Sequence, residues 1–443
     1  MSLLKAFDQT DSATTGQELY AFAESLFPIC RSITGDGIRR SLGMIRERIP
    51  LQVSEVPTGT AVFDWTVPNE WNIHDAYIKA PDGTKVVDFQ RSNLHVMNYS
   101  VPVHRTMPLS ELRPHLFTVP EHRDWIPYKT SYYQPSWGFC LSENQLQSLP
   151  NAEYEVCIDA TLSHGHLTYG EYYLPGKASE EVLISCHACH PSLANDNLSG
   201  VTVAAWLAKF LSGRDLRYSY RFLFIPGTIG AITWLARNGE AAKRIRHGLV
   251  LTCLGDNGSF HYKKSRQGNA EVDRAAIHVL RHLTNSPEIL EFSPYGYDER
   301  QYCSPGFNLA VGCLMRSVWE TFPEYHTSAD NLDFIHPVQL AESARMCAAI
   351  LEVLETNQRF RNLYPHGEPQ LGRRNLYRHT GGDPLGLEIH ARLWVLNLSD
   401  GQHSLLDIAE RSGIAYATIQ EAATLLCENQ LLAPVSEDAR GGL

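Results

Sequence analysis

The chain has 443 residues, 43% hydrophobic and 20% charged, with a formal net charge of −11. That length predicts two or three folded units, and that composition excludes a disordered chain. The acidic balance argues against broad electrostatic affinity for nucleic acid or acidic membranes, and no apolar run reaches the roughly 18 residues that span a bilayer.

The first residues, MSLLKAFDQTDSATTGQ, lack the basic end, apolar core and small-residue cleavage site of a signal peptide. Residues 16–48 read as helical, because apolar residues return at spacings of three and four. From about 50 to 115 the texture changes to short alternating runs broken by Pro, Gly, Asn and Asp, with a turn at Pro81-Asp82-Gly83. This predicts a small antiparallel β domain inserted over 50–115. After residue 150 the apolar runs EVLISCH, RFLFIP, GLVLTCL and LAVGCLMR alternate with helix-like segments. That alternation predicts an α/β fold with a mostly parallel sheet flanked by helices, its site at the carboxyl ends of the strands. The main domain is expected to comprise 1–49 and 116–365. Residues 360–385 read as a linker, and 375–443 as a winged helix with its turn at Ser412-Gly413.

Ten cysteines are scattered rather than spaced as a framework, which predicts free thiols in a reducing cytoplasm. Cys186 and Cys189 form a CxxC, a weak redox or zinc signal without a second such pair.

The stretch ISCHACHPSLANDNLSG places His187 and His190 just past a buried strand, with Asp196 at the start of a helix. Taken singly, each has a structural reading: the aspartate as a helix N-cap, the histidine as a satisfied polar residue. Together they favour a divalent metal, zinc first. Far downstream, FPEYHTSADNLDFI supplies Glu324 and His326 on a loop, as an open catalytic site uses. Asp330 and Asp333 are expected either to orient His326 or to cap the next helix. In YGYDERQYCSPG, Asp298 and Glu299 could hold a substrate ammonium group, and Arg300 a substrate carboxylate. A solvated charged turn is the plainer reading of that loop.

The blocks FPICRSITGDG, VFDWTVPNEWNI, SNLHVMNYS, TSYYQPSWGFCLS, CHPSLANDNLSG, DERQYCSPGFNL and EYHTSADNLDF carry a resemblance across nearly the whole chain. It resembles the aminopeptidase-like zinc peptidase family, a distant branch of the co-catalytic zinc aminopeptidases, in which a peptidase domain bears an inserted β domain and a C-terminal winged helix. The resemblance implies that His187 matches the first zinc histidine, Asp196 the metal-bridging carboxylate and His326 the final zinc histidine. His190 belongs to the family's own CHPS motif, and which of His187 and His190 ligates metal stays open.

The wider clan has two adjacent glutamates after the next strand, a general base and then a zinc ligand. The family resembles PETIG there, whereas this chain reads PGTIG, with Gly227 at the position of the base. The remaining clan aspartate is not cleanly present, Asp256 falling slightly late. One zinc ion per chain, held by two histidines and Asp196, is therefore expected. The missing base leaves three alternatives. Another carboxylate, Glu299, Asp298 or Glu324, has taken the role; the position carries an inactivating substitution; or the protein binds its ligand without turnover.

The winged helix invites a regulator hypothesis, but residues 402–443 hold two arginines against six acidic residues, and AYATIQEAATLLCEN carries no Lys or Arg. DNA readers need cations to meet phosphate. Packing or formation of a homo-oligomer is the expected role. The sequence thus predicts a cytoplasmic zinc-dependent hydrolase of an amide bond in a small peptide or amino-acyl conjugate. A non-hydrolytic zinc-binding scaffold of the same fold is the alternative, and a transcriptional regulator the weaker one.

Overall fold

The structure, a computed structural model, describes residues 2–377 and 386–435. Parts of the expected linker (378–385) and of the expected winged helix (378–385 and 436–443) lie outside the described residues. The chain divides into one unit of 8–270 and 288–345 and another of 1–7, 271–287 and 346–443.

The larger unit is built on eight strands: β1 (Gln52–Pro57), β2 (His166–Leu174), β3 (Glu181–His187), β4 (Ser219–Ile225), β5 (Ile245–Leu251), β6 (His261–Lys263), β7 (Glu288–Leu290) and β8 (Val311–Met315). Their order is β1-β2-β4-β3-β5-β8-β6-β7. The four central strands β4, β3, β5 and β8 run parallel, while β1, β2 and β6 pair antiparallel. Both EVLISCH and SYRFLFI are buried at every position, as strands covered on two faces must be. Each fully buried Leu, Ile or Phe there contributes about 1.5–3 kcal/mol. The polar exception in β4, Arg221, is matched by Glu181 at 2.6 Å and by Glu171.

Helices Gly200–Leu211 and Ile229–Arg237 follow β3 and β4. The chain leaves β3 for β4 on one side and then returns to β5 on the other. The carboxyl end of β3 is thus a point where the winding reverses, the crevice that open α/β sheets use for ligands.

A four-stranded antiparallel sheet joins Lys85–Asp88, Glu70–Lys79, Glu153–Ser163 and Val103–Pro108. Its central strand Glu153–Ser163 lies outside the expected 50–115 span, and β1, inside that span, belongs to the large sheet. The alternating burial of EYEVCIDATLS explains the first difference, since such a strand has one face to bury and another to expose.

In the smaller unit, helices Leu387–Leu398, Leu405–Ser412 and Tyr416–Glu428 accompany a three-stranded sheet of Arg359–Asn362, Asp400–Ser404 and Leu432–Pro434. Arg359–Asn362 is therefore a sheet strand where part of a linker was expected. Ser404 and Asp407 form a capping box, and Gly413 ends the helix in the left-handed conformation. Two contacts bear on the acidic surface. Arg274, on helix Glu271–Leu283, reaches Asp407 at 2.6 Å and also binds Glu410. The backbone N–H of Tyr416 donates to His278 Nε2 at 3.0 Å. The start of the second helix of the helix-turn-helix is thus occupied within its own unit. Among the described residues, no helix is long and apolar enough to cross a membrane.

Candidate metal centre

β3 ends at His187, which is 2% exposed. The chain then passes through an irregular turn in which Asp196 and Asn197 depart from helical geometry before helix Gly200–Leu211 begins. The capping task falls to Asn197, whose Oδ1 accepts the Gly200 N–H at 3.2 Å. That frees the Asp196 carboxylate from the N-cap role that its position suggested.

Asp196 is completely buried, and its two oxygens face different histidines. Oδ1 lies 2.8 Å from His187 Nε2, and Oδ2 lies 2.9 Å from His326 Nε2 and 4.0 Å from His190 Nε2. Ligand atoms of His187, His190 and Asp196 all fall within 4.8 Å of one another. Burial by itself would raise the Asp196 carboxyl, but the fields of His190 and His187, with hydrogen bonds from His187 and His326, hold it well below the usual range. Burial keeps His190 neutral far below its ordinary titration range, against the pull of Asp196. A deprotonated His190 beside an ionised Asp196 suits a divalent metal, whose ligands must give up their protons. A tetrahedral zinc separates N and O ligands by about 3.3 Å, so a modest opening of the 2.8 Å His187–Asp196 pair accommodates an ion, with His326 outside the three-residue set at the other oxygen. The donor set fits zinc.

The scaffold around these groups is mostly aromatic and acidic. Tyr297 stacks on His187 (5.0 Å, 15°) and donates its hydroxyl to Asp196 Oδ1 at 3.2 Å. Tyr325 stacks on His326 (4.0 Å, 11°), and the Tyr128 ring lies 5.1 Å from both His190 and His326. Arg31, buried, donates from Nε to the His190 carbonyl at 2.9 Å. The His326 backbone has φ +55°, a left-handed conformation uncommon outside glycine, and its carbonyl accepts the Tyr128 N–H at 2.7 Å.

Asp330 was expected either to orient His326 or to cap the next helix. Instead its carboxylate accepts the backbone N–H groups of Asn195 at 2.6 Å and Asp196 at 2.9 Å. Burial, with Asp196 adding to it, pushes the Asp330 carboxyl up to about 8 against those donors. Asp333 is exposed in the turn Leu332–Phe334. Asp256 is buried and accepts the side-chain N–H of Asn195 at 2.6 Å and the Ser317 hydroxyl at 2.7 Å, so it braces the Asp196 turn. Glu324 is half-buried two residues before His326, and its carbonyl accepts from Thr327 N–H at 3.1 Å.

In the 298–300 segment both acids are buried and Arg300 is half-buried. Glu299 is completely buried, and its Oε1 accepts from Lys263 Nζ at 2.7 Å, the lysine being 1% exposed. That oxygen is engaged inside the fold, while Oε2 is buried without a hydrogen-bond partner. Asp298, 2% exposed, accepts the Thr228 N–H on Oδ1 at 2.6 Å, so it is no exposed anchor for a substrate ammonium group. Arg300 Nη2 donates to Thr228 Oγ1 at 3.2 Å.

Gly227 has room for a side chain. A Cβ there would meet His187 Cβ at 3.6 Å and Cys189 Sγ at 3.7 Å, ordinary contact distances. The Gly227 N–H donates to Cys189 Sγ at 3.3 Å, and Cys186 and Cys189 are both free thiols. The CxxC pair is thus packing beside the site.

Sequence reasoning missed Tyr297, Asn195 and Asn197. YGYDERQYC drew attention through its charges while the aromatic residue did the contacting, and the asparagines of NDN read only as turn formers.

Comparison with known proteins follows the same outline. Residues 20–357 match a family described as a domain of unknown function (DUF4910), and residues 358–434 match a winged helix-turn-helix family. A protein of Clostridium acetobutylicum is 51% identical over 423 residues, covering 95% of this chain and 97% of the relative; its name assigns it provisionally to polysaccharide biosynthesis, with an aminopeptidase-like domain. A crystal structure of a provisionally named peptidase from Clostridium acetobutylicum superimposes with a TM-score of 0.92 at 50% identity, covering 97% of this chain and 99% of that one. A zinc aminopeptidase from Bacillus subtilis shares the fold at 14% identity, with a TM-score of 0.54 over 76% of this chain and 94% of that one.

Proposed function

The chain belongs to the DUF4910 family, a domain of unknown function carried here on a zinc-aminopeptidase fold with a winged helix, and from that fold and its buried His/Asp cluster we propose that it is a metal-dependent hydrolase of an amide bond. The substrate class is a small peptide or amino-acyl conjugate. One observation carries the reading: a buried carboxylate, Asp196, offers each of its oxygens to a different histidine at the winding reversal of the sheet.

His326 and Asp196, with His187 or His190, would hold one zinc ion per chain. Bound there, zinc would polarise a substrate carbonyl and lower the pKa of a water to about 7. Tyr297 fixes one oxygen of Asp196, and Asp330 fixes its backbone. The rings of Tyr297, Tyr325 and Tyr128 pack against the three histidines. The name of the Clostridium relative favours a conjugate that enters polysaccharide assembly. Ten free thiols favour a reducing, cytoplasmic setting. For the smaller unit we propose packing or self-association rather than DNA reading, because Arg274 and His278 already engage the helix-turn-helix.

A second reading, ligand binding without turnover, is favoured by Gly227 at the clan's base position. Zinc-loaded protein assayed on amino-acyl amides, dipeptides and N-acyl amino acids separates the two. Metal-dependent release of amine supports the hydrolase. Tight binding of the same compounds without cleavage supports the alternative.

A further inference from the structure

Beside Gly227, the chain stores a carboxylate that the hydrolase reading leaves unused. Asp298 Oδ1 is fixed by the Thr228 N–H at 2.6 Å. Its other oxygen, Oδ2, is buried without a hydrogen-bond partner. An orphaned carboxylate oxygen inside a protein costs about 1–3 kcal/mol or more, so its retention calls for an explanation.

The local backbone sharpens the question. Thr228 has φ +60° and ψ −72°, and the Ile229 N–H donates to the Gly227 carbonyl at 2.7 Å. This is the rare and strained form of three-residue turn, here centred on a β-branched residue. Such strain persists only when its surroundings over-determine it. Asp298 and Arg300 do so, one holding the Thr228 N–H and the other its hydroxyl. The clamp keeps Gly227 against His187. On its other side, Asp298 follows Tyr297, which stacks on His187 and touches Asp196.

Resting on the proposed hydrolysis, we propose that Asp298 is the general base of this site, its Oδ2 taking the proton that the clan's glutamate would take from position 227. In the forward step, Oδ2 accepts a proton from the attacking water as the water oxygen bonds to the substrate carbonyl carbon. In the second step, the C–N bond breaks and Asp298 returns that proton to the departing nitrogen. Amide plus water gives carboxylic acid plus amine, and the aspartate ends as it began.

The surroundings suit the task. Burial pushes the Asp298 carboxyl up to about 6, with His187 pulling the other way, and bases work best near the operating pH. The charged groups acting on it are His187 from β3 and Glu299 and Arg300 from its own turn; buried Cys186, Cys189 and Tyr302 also feel its charge. Glu299, whose Oε2 is likewise unpartnered, differs in that Lys263 engages its other oxygen at 2.7 Å.

Asp298→Asn tests the assignment, since the amide oxygen still accepts the Thr228 N–H while basicity is lost. Thermal stability and zinc content should match wild type, and kcat should fall by roughly 100- to 10,000-fold. Zinc loading gives a second readout independent of turnover. Calorimetric titration of metal-free protein with zinc, in two buffers of different ionisation enthalpy, counts protons released to solvent. The variant should release more than wild type, because Asp298 no longer retains one. Equal proton counts, or a kcat within about threefold of wild type, overturn the proposal. Wild-type protein that cleaves no amide would instead remove the hydrolase reading, and the proton count would still decide for or against Asp298.

Discussion

Asp330 and Asp196, two buried acids 134 residues apart in the chain, are joined through the backbone: the Asp330 carboxylate accepts the Asp196 N–H at 2.9 Å while the Asp196 carboxylate stays turned to the histidines. One acid thus fixes the direction of the other without competing for its ligands. Outer partners of this kind tune metal affinity by roughly 10- to 100-fold. Asp330→Ala is therefore expected to weaken zinc binding by that factor, read by competition with a chromophoric chelator. Wild-type affinity in the variant would reduce Asp330 to a packing residue.

The pair of Lys263 and Glu299 carries a stability prediction. Both are buried, 2.7 Å apart. Removing one partner strands the other charge, at about 3–5 kcal/mol. Lys263→Met should lower the denaturation midpoint accordingly, and Lys263→Met with Glu299→Leu should recover much of the loss. A Lys263→Met protein as stable as wild type would show that this pair contributes nothing to the fold.

Acid should loosen the smaller unit. Burial lowers His278 to about 4, with His282 and Arg281 adding to the effect, and its Nε2 must be unprotonated to accept the Tyr416 N–H. As pH falls, the unfolded chain takes the proton first, near 6.5. The contribution is thus fully present above about pH 6.5 and is lost progressively towards about pH 4. His278→Gln keeps an acceptor and cannot titrate there. Its thermal midpoint should fall less than that of wild type between about pH 7.5 and about pH 5. An identical fall would assign the acid sensitivity elsewhere.

What the sequence made legible follows from locality. His187, His190 and Asp196 lie within ten residues at the end of an apolar run, so strand burial and chemistry pointed to one place. The winged helix announced itself through periodicity and Gly413. What stayed hidden depends on distant partners. Nothing near Glu299 foretold Lys263, which reaches it from β6, so a substrate-binding role for the acid was the expectation. Glu153–Ser163 alternates as plainly as any strand, yet which sheet it joins is settled by pairing with Glu70–Lys79 far upstream. Asp330 looked like a partner for His326 because it is four residues away, whereas the fold gives it the Asp196 turn.

One zinc ion at Asp196 is what the proposed chemistry requires above all. Elemental analysis of zinc-loaded, dialysed protein tests this directly, set beside Asp196→Ala and His326→Ala. Wild type should retain close to one ion per chain, and both variants should lose it. Full zinc retention in Asp196→Ala, or a wild type that holds none, would contradict that chemistry.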